Sequence, residues 1–344
     1  MSTTIHERPG VYSSYDASSV VNGGGAGKTV GIAARSAGGT AGTLYKLARY
    51  EDAVGAFGAA DNLTALVRLL FANGAAAVCA VPVAAESGYP DAFTKLGETE
   101  QISVVTCDST DLSIQQNLRN SVAAASEARR ERIAVVEGGA SDTVAQYTRR
   151  AEDLNSERVV LAAPGAQAGA GMAAAAVAGA IAGEADPAVP LGGAVLSGLE
   201  GLAAGYSDSE IDMLIRGGVT PLEAAGGRVS VVRGVTTRTK SGDAPDKTWR
   251  ELTTIRIVDD VIPAVRDALR AKFRRSKNTE QSRGAIRAQV VMELENKLAR
   301  EIITGYDAVS AVPNPEDPTV CLVEFSFTVA HGLNQIWLSA HITV

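Results

Sequence analysis

The chain of 344 residues is poor in the side chains that most often do chemistry: it has three Cys, three His and 5% aromatic residues. Cys79, Cys107 and Cys321 are odd in number and far apart. That excludes a disulfide framework and any cysteine-based metal spacing, and it suits a reducing compartment. Each reads as a small buried apolar residue. His6, His331 and His341 all fall in the terminal segments. There is no His-Glu-x-x-His pair and no Gly-x-Ser-x-Gly elbow, so neither a zinc centre nor a hydrolase triad has its residues. No Gly-x-Gly-x-x-Gly follows a strand-like run, and Gly38-Gly39-Thr40-Ala41-Gly42 reads as a loop. Positive charge is not in excess: the net charge of −7 argues against general nucleic-acid binding. A long apolar run is missing too. The nearest stretch, AQAGAGMAAAAVAGAIAG at 166–183, is short for a span and almost without Leu, Phe or Val. Its small residues predict close helix packing, not membrane insertion. The opening MSTTIHERPG has no apolar signal segment.

What is present is the composition of an ordered soluble protein, 46% hydrophobic and 21% charged. The length predicts two domains or one large α/β unit, with enough chain to bury a core unaided.

The stretch NGGGAGKT, 22–29, ends as a phosphate-binding P-loop ends. That motif needs a first Gly at position 22, which is Asn22, and it should follow a buried strand and open a helix. Here 15–21 is small and polar, and Val30-Gly31-Ile32-Ala33 begins like a strand. A Mg-binding carboxylate could be claimed for Asp108, after ISVVTC, but one Asp at the end of a strand is common by chance. Gly23, Gly24, Gly25 and Gly27 read better as a hinge without Cβ atoms.

Beyond the hinge, β-branched runs at 30–34, 77–83, 102–107, 133–137 and 159–163 alternate with helical patterns at 62–73, 112–130 and 143–154. This alternation predicts an α/β core with a largely parallel sheet between helices. Further on, 208–216 reads as a short helix, and 229–232 and 253–258 read as strands. Asp259 and Asp260 then stand as caps, with Pro263 in the first turn of the next helix. Its apolar stripe is Ile262, Val265, Leu269 and Phe273. Its outer face carries Arg266, Arg270, Lys272, Arg274 and Arg275, followed by Lys277. A second helix, 284–302, uses Ile286, Val290, Leu294, Leu298 and Ile302. Between residues 261 and 300 stand ten basic and four acidic residues, a concentration of positive charge in an acidic chain. It reads either as a solvated helix face or as a surface for an acidic partner.

The C-terminal end alternates cleanly. Cys321, Val323, Phe325, Phe327 and Val329 share one face of a strand, opposite Glu324, Ser326 and Thr328. After a turn at 331–334, Ile336, Leu338, Ala340, Ile342 and Val344 point one way, and Trp337, Ser339, His341 and Thr343 the other. A strand this apolar needs a partner, in the same molecule or in the next.

Several of these segments together resemble the contractile-tail sheath family. They are ERPGVYSSYDAS with Pro9-Gly10-Val11-Tyr12, AVAGAIAGEAD before prolines, Val232-Arg233-Gly234-Val235-Thr236-Thr237, WRELTTIRIVDD, the basic helix and the closing strands. The chain is similar to compact sheaths without large insertions, such as those of simple phages, R-type bacteriocins and phage-tail-like particles. The resemblance implies an α/β (α+β) fold in which the alternating core, 30–228, is followed by a C-terminal α+β sheath domain, 229–334. Residues 1–29 would be an N-terminal arm and hinge, and 335–344 a C-terminal arm strand. It implies a structural role with no cofactor and no catalytic residue. Copies would form stacked hexameric rings around an inner tube protein, linked by β-strand exchange of the arms, in contact with baseplate and tail terminator proteins. The N-terminal arm and hinge would use Pro9, Gly10, Val11, Tyr12 and Gly23, Gly24, Gly25, Gly27. The C-terminal arm would use Ile336, Trp337, Leu338, Ile342 and Val344, and the tube contact Arg266, Arg270, Lys272, Arg274, Arg275 and Lys277. It also implies assembly in the bacterial cytoplasm and release with the particle. Two other readings stay open on residues alone: a P-loop-like nucleotide-binding α/β enzyme, and an unrelated self-assembling filament or shell protein.

Overall fold

Alternating strands and helices organise most of the chain in the computed structural model, which describes residues 29–334. These fall into two compact units. One comprises residues 29–185, 189–255 and 332–334, the other residues 186–188 and 256–331. The arm and hinge positions expected at Pro9, Gly10, Val11, Tyr12, Gly23, Gly24, Gly25 and Gly27, and those at Ile336, Trp337, Leu338, Ile342 and Val344, lie outside the described residues.

The larger unit runs through β1 (Thr29–Arg35), β2 (Tyr45–Leu47), α1 (Tyr50–Phe57), α2 (Asn62–Ala72), β3 (Ala77–Val83) and α3 (Tyr89–Glu98). It continues with β4 (Ile102–Cys107), α4 (Leu112–Glu127), β5 (Ile133–Glu137), α5 (Val144–Leu154), β6 (Val159–Ala163) and α6 (Met172–Gly183). Then come β7 (Val195–Leu196), α7 (Asp208–Arg216), β8 (Thr220–Ala225), β9 (Arg228–Val231) and a small hairpin of β10 (Lys240–Ser241) and β11 (Ala244–Pro245). One sheet of nine strands has the order β2-β3-β1-β4-β5-β6-β8-β9-β7. From β3 through β8 its neighbours pair in parallel, and β2, β9 and β7 join antiparallel. The five strands read from the sequence are the centre of this sheet. They are continuous apolar runs because helices cover both faces. Val30, Val78, Val104, Val135 and Val160 are all at most 2% exposed.

Local chemistry starts the helices where the sequence places them. Asp61 accepts from Leu63 N and Asp111 from Ser113 N and Ile114 N, while Thr143 with Gln146 and Ser207 with Glu210 form capping boxes. The Ala-rich segment forms α6, twelve residues long and almost wholly buried. Its Gly179 and Gly183 let its backbone press on the C-terminal end of α2 and the residues after it, where a Cβ would meet Leu70 O at 2.7 Å and Asn73 O at 2.8 Å. Among the described residues no helix is long and apolar enough to cross a membrane.

The boundary between the units falls within α8 (Leu252–Phe273). This corrects the strand expected at 253–258. Thr253, Thr254 and Ile255 favour a strand by local preference, but Leu252, Ile255, Val258, Ile262, Val265 and Leu269 recur at helical spacing and all are buried. Preferences of under about 1 kcal/mol per residue are outweighed by that burial. Asp259 and Asp260 therefore sit mid-helix and cap nothing. Pro263 is also interior, at a cost of about 3 kcal/mol, because it has no N–H to continue the ladder. The second unit holds the rest of α8, then α9 (Glu280–Ala299), β12 (Ile303–Pro313) and β13 (Cys321–Val329). Val290 and Leu294 of α9 are completely buried, and a buried ion pair between Lys297 and Asp260 joins α9 to α8.

Candidate functional site

Two features of the second unit stand out as surfaces for other molecules. The first is the C-terminal end of α8. Arg270 and Lys272 occupy its last turn, and Arg274, Arg275 and Lys277 follow in the connection to α9; all five are exposed. Positive charge is favourable there because the helix dipole presents its negative end. Lys272 Nζ donates to Gln289 Oε1 of α9, so one cation of the cluster also ties the two helices. The side chains of Arg270, Arg274, Arg275 and Lys277 make no ion pair or hydrogen bond among the described residues. Arg266 departs from the expected outer face. It is 6% exposed, one turn earlier on the buried side of α8. Its position three residues after Pro263 and next to Val265 puts it on the flank of the apolar stripe, not on the exposed face.

The second feature is the antiparallel pair β12–β13, a sheet of two strands only. Each strand bonds to the other and to no further strand among the described residues. Each therefore presents an outer row of unused N–H and C=O groups, the arrangement that accepts an added strand. The alternation read in β13 is present except at Ser326: Phe327 is buried and Cys321, Val323, Phe325 and Val329 are half-buried, Leu322, Glu324 and Thr328 are exposed, and Ser326 is half-buried. Phe325 and Phe327 stack with ring centroids 6.4 Å apart. Exposed Val312 and Leu322 stand directly opposite one another across the two strands. β12 itself was not foreseen. Its register slips between Asp307 and Ser310, where Ala308 takes φ +55°, and the slip breaks the period of two that would have marked it.

The larger unit answers the P-loop question. Thr29 is the first residue of β1, so Gly-Lys-Thr runs into a strand instead of opening a helix. Asp108 is also spent. Its oxygens accept from Arg35 N at 3.0 Å, from Asn62 Nδ2 at 2.8 Å and from the Tyr89 hydroxyl. Burial, together with the charge of Asp108, raises the Tyr89 phenol above its ordinary value. Burial likewise pushes the Cys107 thiol up to about 12, so it is held as an unreactive thiol. Among the described residues no group of three His, Cys, Asp or Glu could hold a metal ion.

Comparisons with known proteins agree along most of the chain. Residues 83–237 match the phage tail sheath protein central domain, and residues 244–343 match the phage tail sheath C-terminal domain. A tail sheath protein of Bacillus phage SP01 is 29% identical over 226 residues, covering 60% of this chain and 37% of that protein. The chain thus spans little more than a third of that relative's length. Among solved structures, the helical sheath of the anti-feeding prophage in its contracted state superposes with TM-score 0.73 at 16% identity, over 98% of this chain and 99% of that one. The sheath tail protein of Desulfitobacterium hafniense gives 0.69 at 12% identity, over 93% and 100%. That of Listeria innocua gives 0.68 at 12%, over 90% and 96%. The fold is shared at identities too low to carry side-chain roles across.

Proposed function

The chain belongs to the phage tail sheath protein family, and on that premise we propose that it is the repeating subunit of a contractile sheath. Copies stack as helically related six-membered rings around an inner tube and contract from a metastable extended state to drive that tube through a target envelope. The role is structural, not catalytic. The observation that carries this reading is the two-stranded β12–β13 sheet, whose two edges are open among the described residues.

The terminal segments have the pattern such edges accept. Residues 335–344, QIWLSAHITV, alternate without a break, and residues 1–21 lead to the glycines at 23–27. Residues 335–344 of one copy and the N-terminal arm of another add strands to the sheet of a third. Backbone bonds hold the link and alternating side chains set its register. The glycine hinge lets the bodies reorient while the links stay closed. Contraction then releases free energy stored at assembly, because the contracted arrangement makes more contacts.

The exposed cations Arg270, Lys272, Arg274, Arg275 and Lys277 face the inner tube. Exposed charge pairs are worth under about 1 kcal/mol each, so such a contact assembles and still breaks during contraction. Baseplate and terminator proteins cap the two ends. Assembly takes place in the bacterial cytoplasm, and the sheath leaves with the particle. Negative-stain microscopy of the purified chain tests the reading: hollow tubes of regular width are expected. Folded chain that stays monomeric at every concentration contradicts it.

A further inference from the structure

Arg250 stands just before α8 with a guanidinium that has no acceptor. Its Nε is out of water, and its side chain makes no hydrogen bond or ion pair among the described residues. The backbone holds it in place. Residues 234–236 run antiparallel to 249–252: Thr236 N donates to Arg250 O at 2.9 Å, Thr236 Oγ1 to Trp249 O at 2.7 Å and Leu252 N to Gly234 O at 3.3 Å. Arg233, from the segment after β9, and Arg216, from the last turn of α7, come near the same place. Burial and then the charge of Arg233 hold the Arg250 guanidinium below its ordinary value; Glu251 opposes them and Arg216 adds to them. The other two arginines have carboxylates of their own. Arg233 pairs with Glu251, and Arg216 pairs with Asp212 at 2.8 Å. Three cations thus meet two anions, and the unmatched cation is the one whose Nε has left water. A desolvated donor without an acceptor is costly, and the planar fork of an arginine fits a carboxylate through two parallel bonds.

We propose that Arg250, backed by Arg233, receives a carboxylate from a second copy of this chain when copies assemble. This rests on the sheath reading and adds to it a side-chain contact that involves no added strand. Two observations select that occupant. Asn334 Nδ2 donates to Glu251 at 3.5 Å, so residues 335–344, the arm proposed to reach another copy, set out beside this cluster. A copy held through so short an arm stays near Arg250. The chain also carries 39 acidic against 32 basic residues, so a second copy offers carboxylates in excess. In the separate chain Arg250 is repelled by Arg233 and matched by nothing; in the assembly the incoming carboxylate completes the set.

Tube formation by the full-length chain, followed by sedimentation and negative-stain microscopy across concentration, tests this. Arg250→Gln should raise the concentration needed for tubes roughly tenfold, the loss expected for one charge-assisted contact. Its urea midpoint should equal or exceed that of the wild type, because a repelled cation is gone. Arg250→Lys keeps the charge without the fork and should fall between the two. Wild type and Arg250→Gln assembling at the same concentration overturn the proposal and leave the sheath reading standing, whereas a wild type that forms no tubes overturns both. Should Arg250→Gln fail to fold, the wild type decides: phenylglyoxal should modify Arg250 several-fold more slowly in tubes than in the separate chain, and equal rates overturn the docking. A wild-type urea midpoint that rises with inorganic phosphate at fixed ionic strength, with assembly equal in wild type and Arg250→Gln, would assign the site to a free anion and overturn it as well.

Discussion

Gly179 of α6 meets Leu70 of α2 backbone to backbone: a Cβ on Gly179 would lie 2.7 Å from the Leu70 carbonyl oxygen. This contact explains why the segment at 166–183 is apolar yet almost empty of large side chains. The helix is buried among close neighbours, and bulk there would push them apart.

Gly179→Ala should therefore destabilise the chain by about 1–3 kcal/mol through overpacking, seen as a lower urea midpoint. In an uncrowded helix the same change would stabilise by up to about 1 kcal/mol, so the sign of the shift decides the matter.

Lys297 and Asp260 join α9 to α8 with side chains only 10% and 15% exposed. Lys297→Met leaves the Asp260 charge buried without its partner and should cost about 3 kcal/mol. Adding Asp260→Leu should recover most of the loss. A double variant as weak as the single one would mean that packing, not charge, accounts for the effect.

How much of this was legible in the sequence depends on the length of the pattern. The strands at 77–83, 102–107, 133–137 and 159–163 form where read, because a buried parallel strand is a continuous apolar run with clear ends. Helices α2, α5 and α7 carry their caps in the sequence. Three features were not legible. The first turns of α8 have β-branched residues that only tertiary burial makes helical. β12 loses its alternation at the Ala308 bulge. Arg266 sits on a helix whose start was placed at Asp259, so the buried face was misjudged. The sheath-like order of segments was visible, whereas the two open edges of β12–β13 needed coordinates.

Charge reversal at Arg270, Arg274 and Arg275 to Glu should leave the fold and the urea midpoint unchanged within about 0.5 kcal/mol, because all three are exposed. It should prevent assembly on the inner tube. Extended sheaths of normal length from this variant would remove the cluster from the tube contact.

Lys28→Ala should assemble as the wild type does. A loss of assembly restored by added nucleotide would revive the P-loop reading.

The most direct test is a structure of the assembled sheath at side-chain resolution. The account predicts a strand from a different copy at the free edge of β12 and another at the free edge of β13, one of them residues 335–344. Edges left bare, with both terminal segments folded onto their own chain, would contradict it.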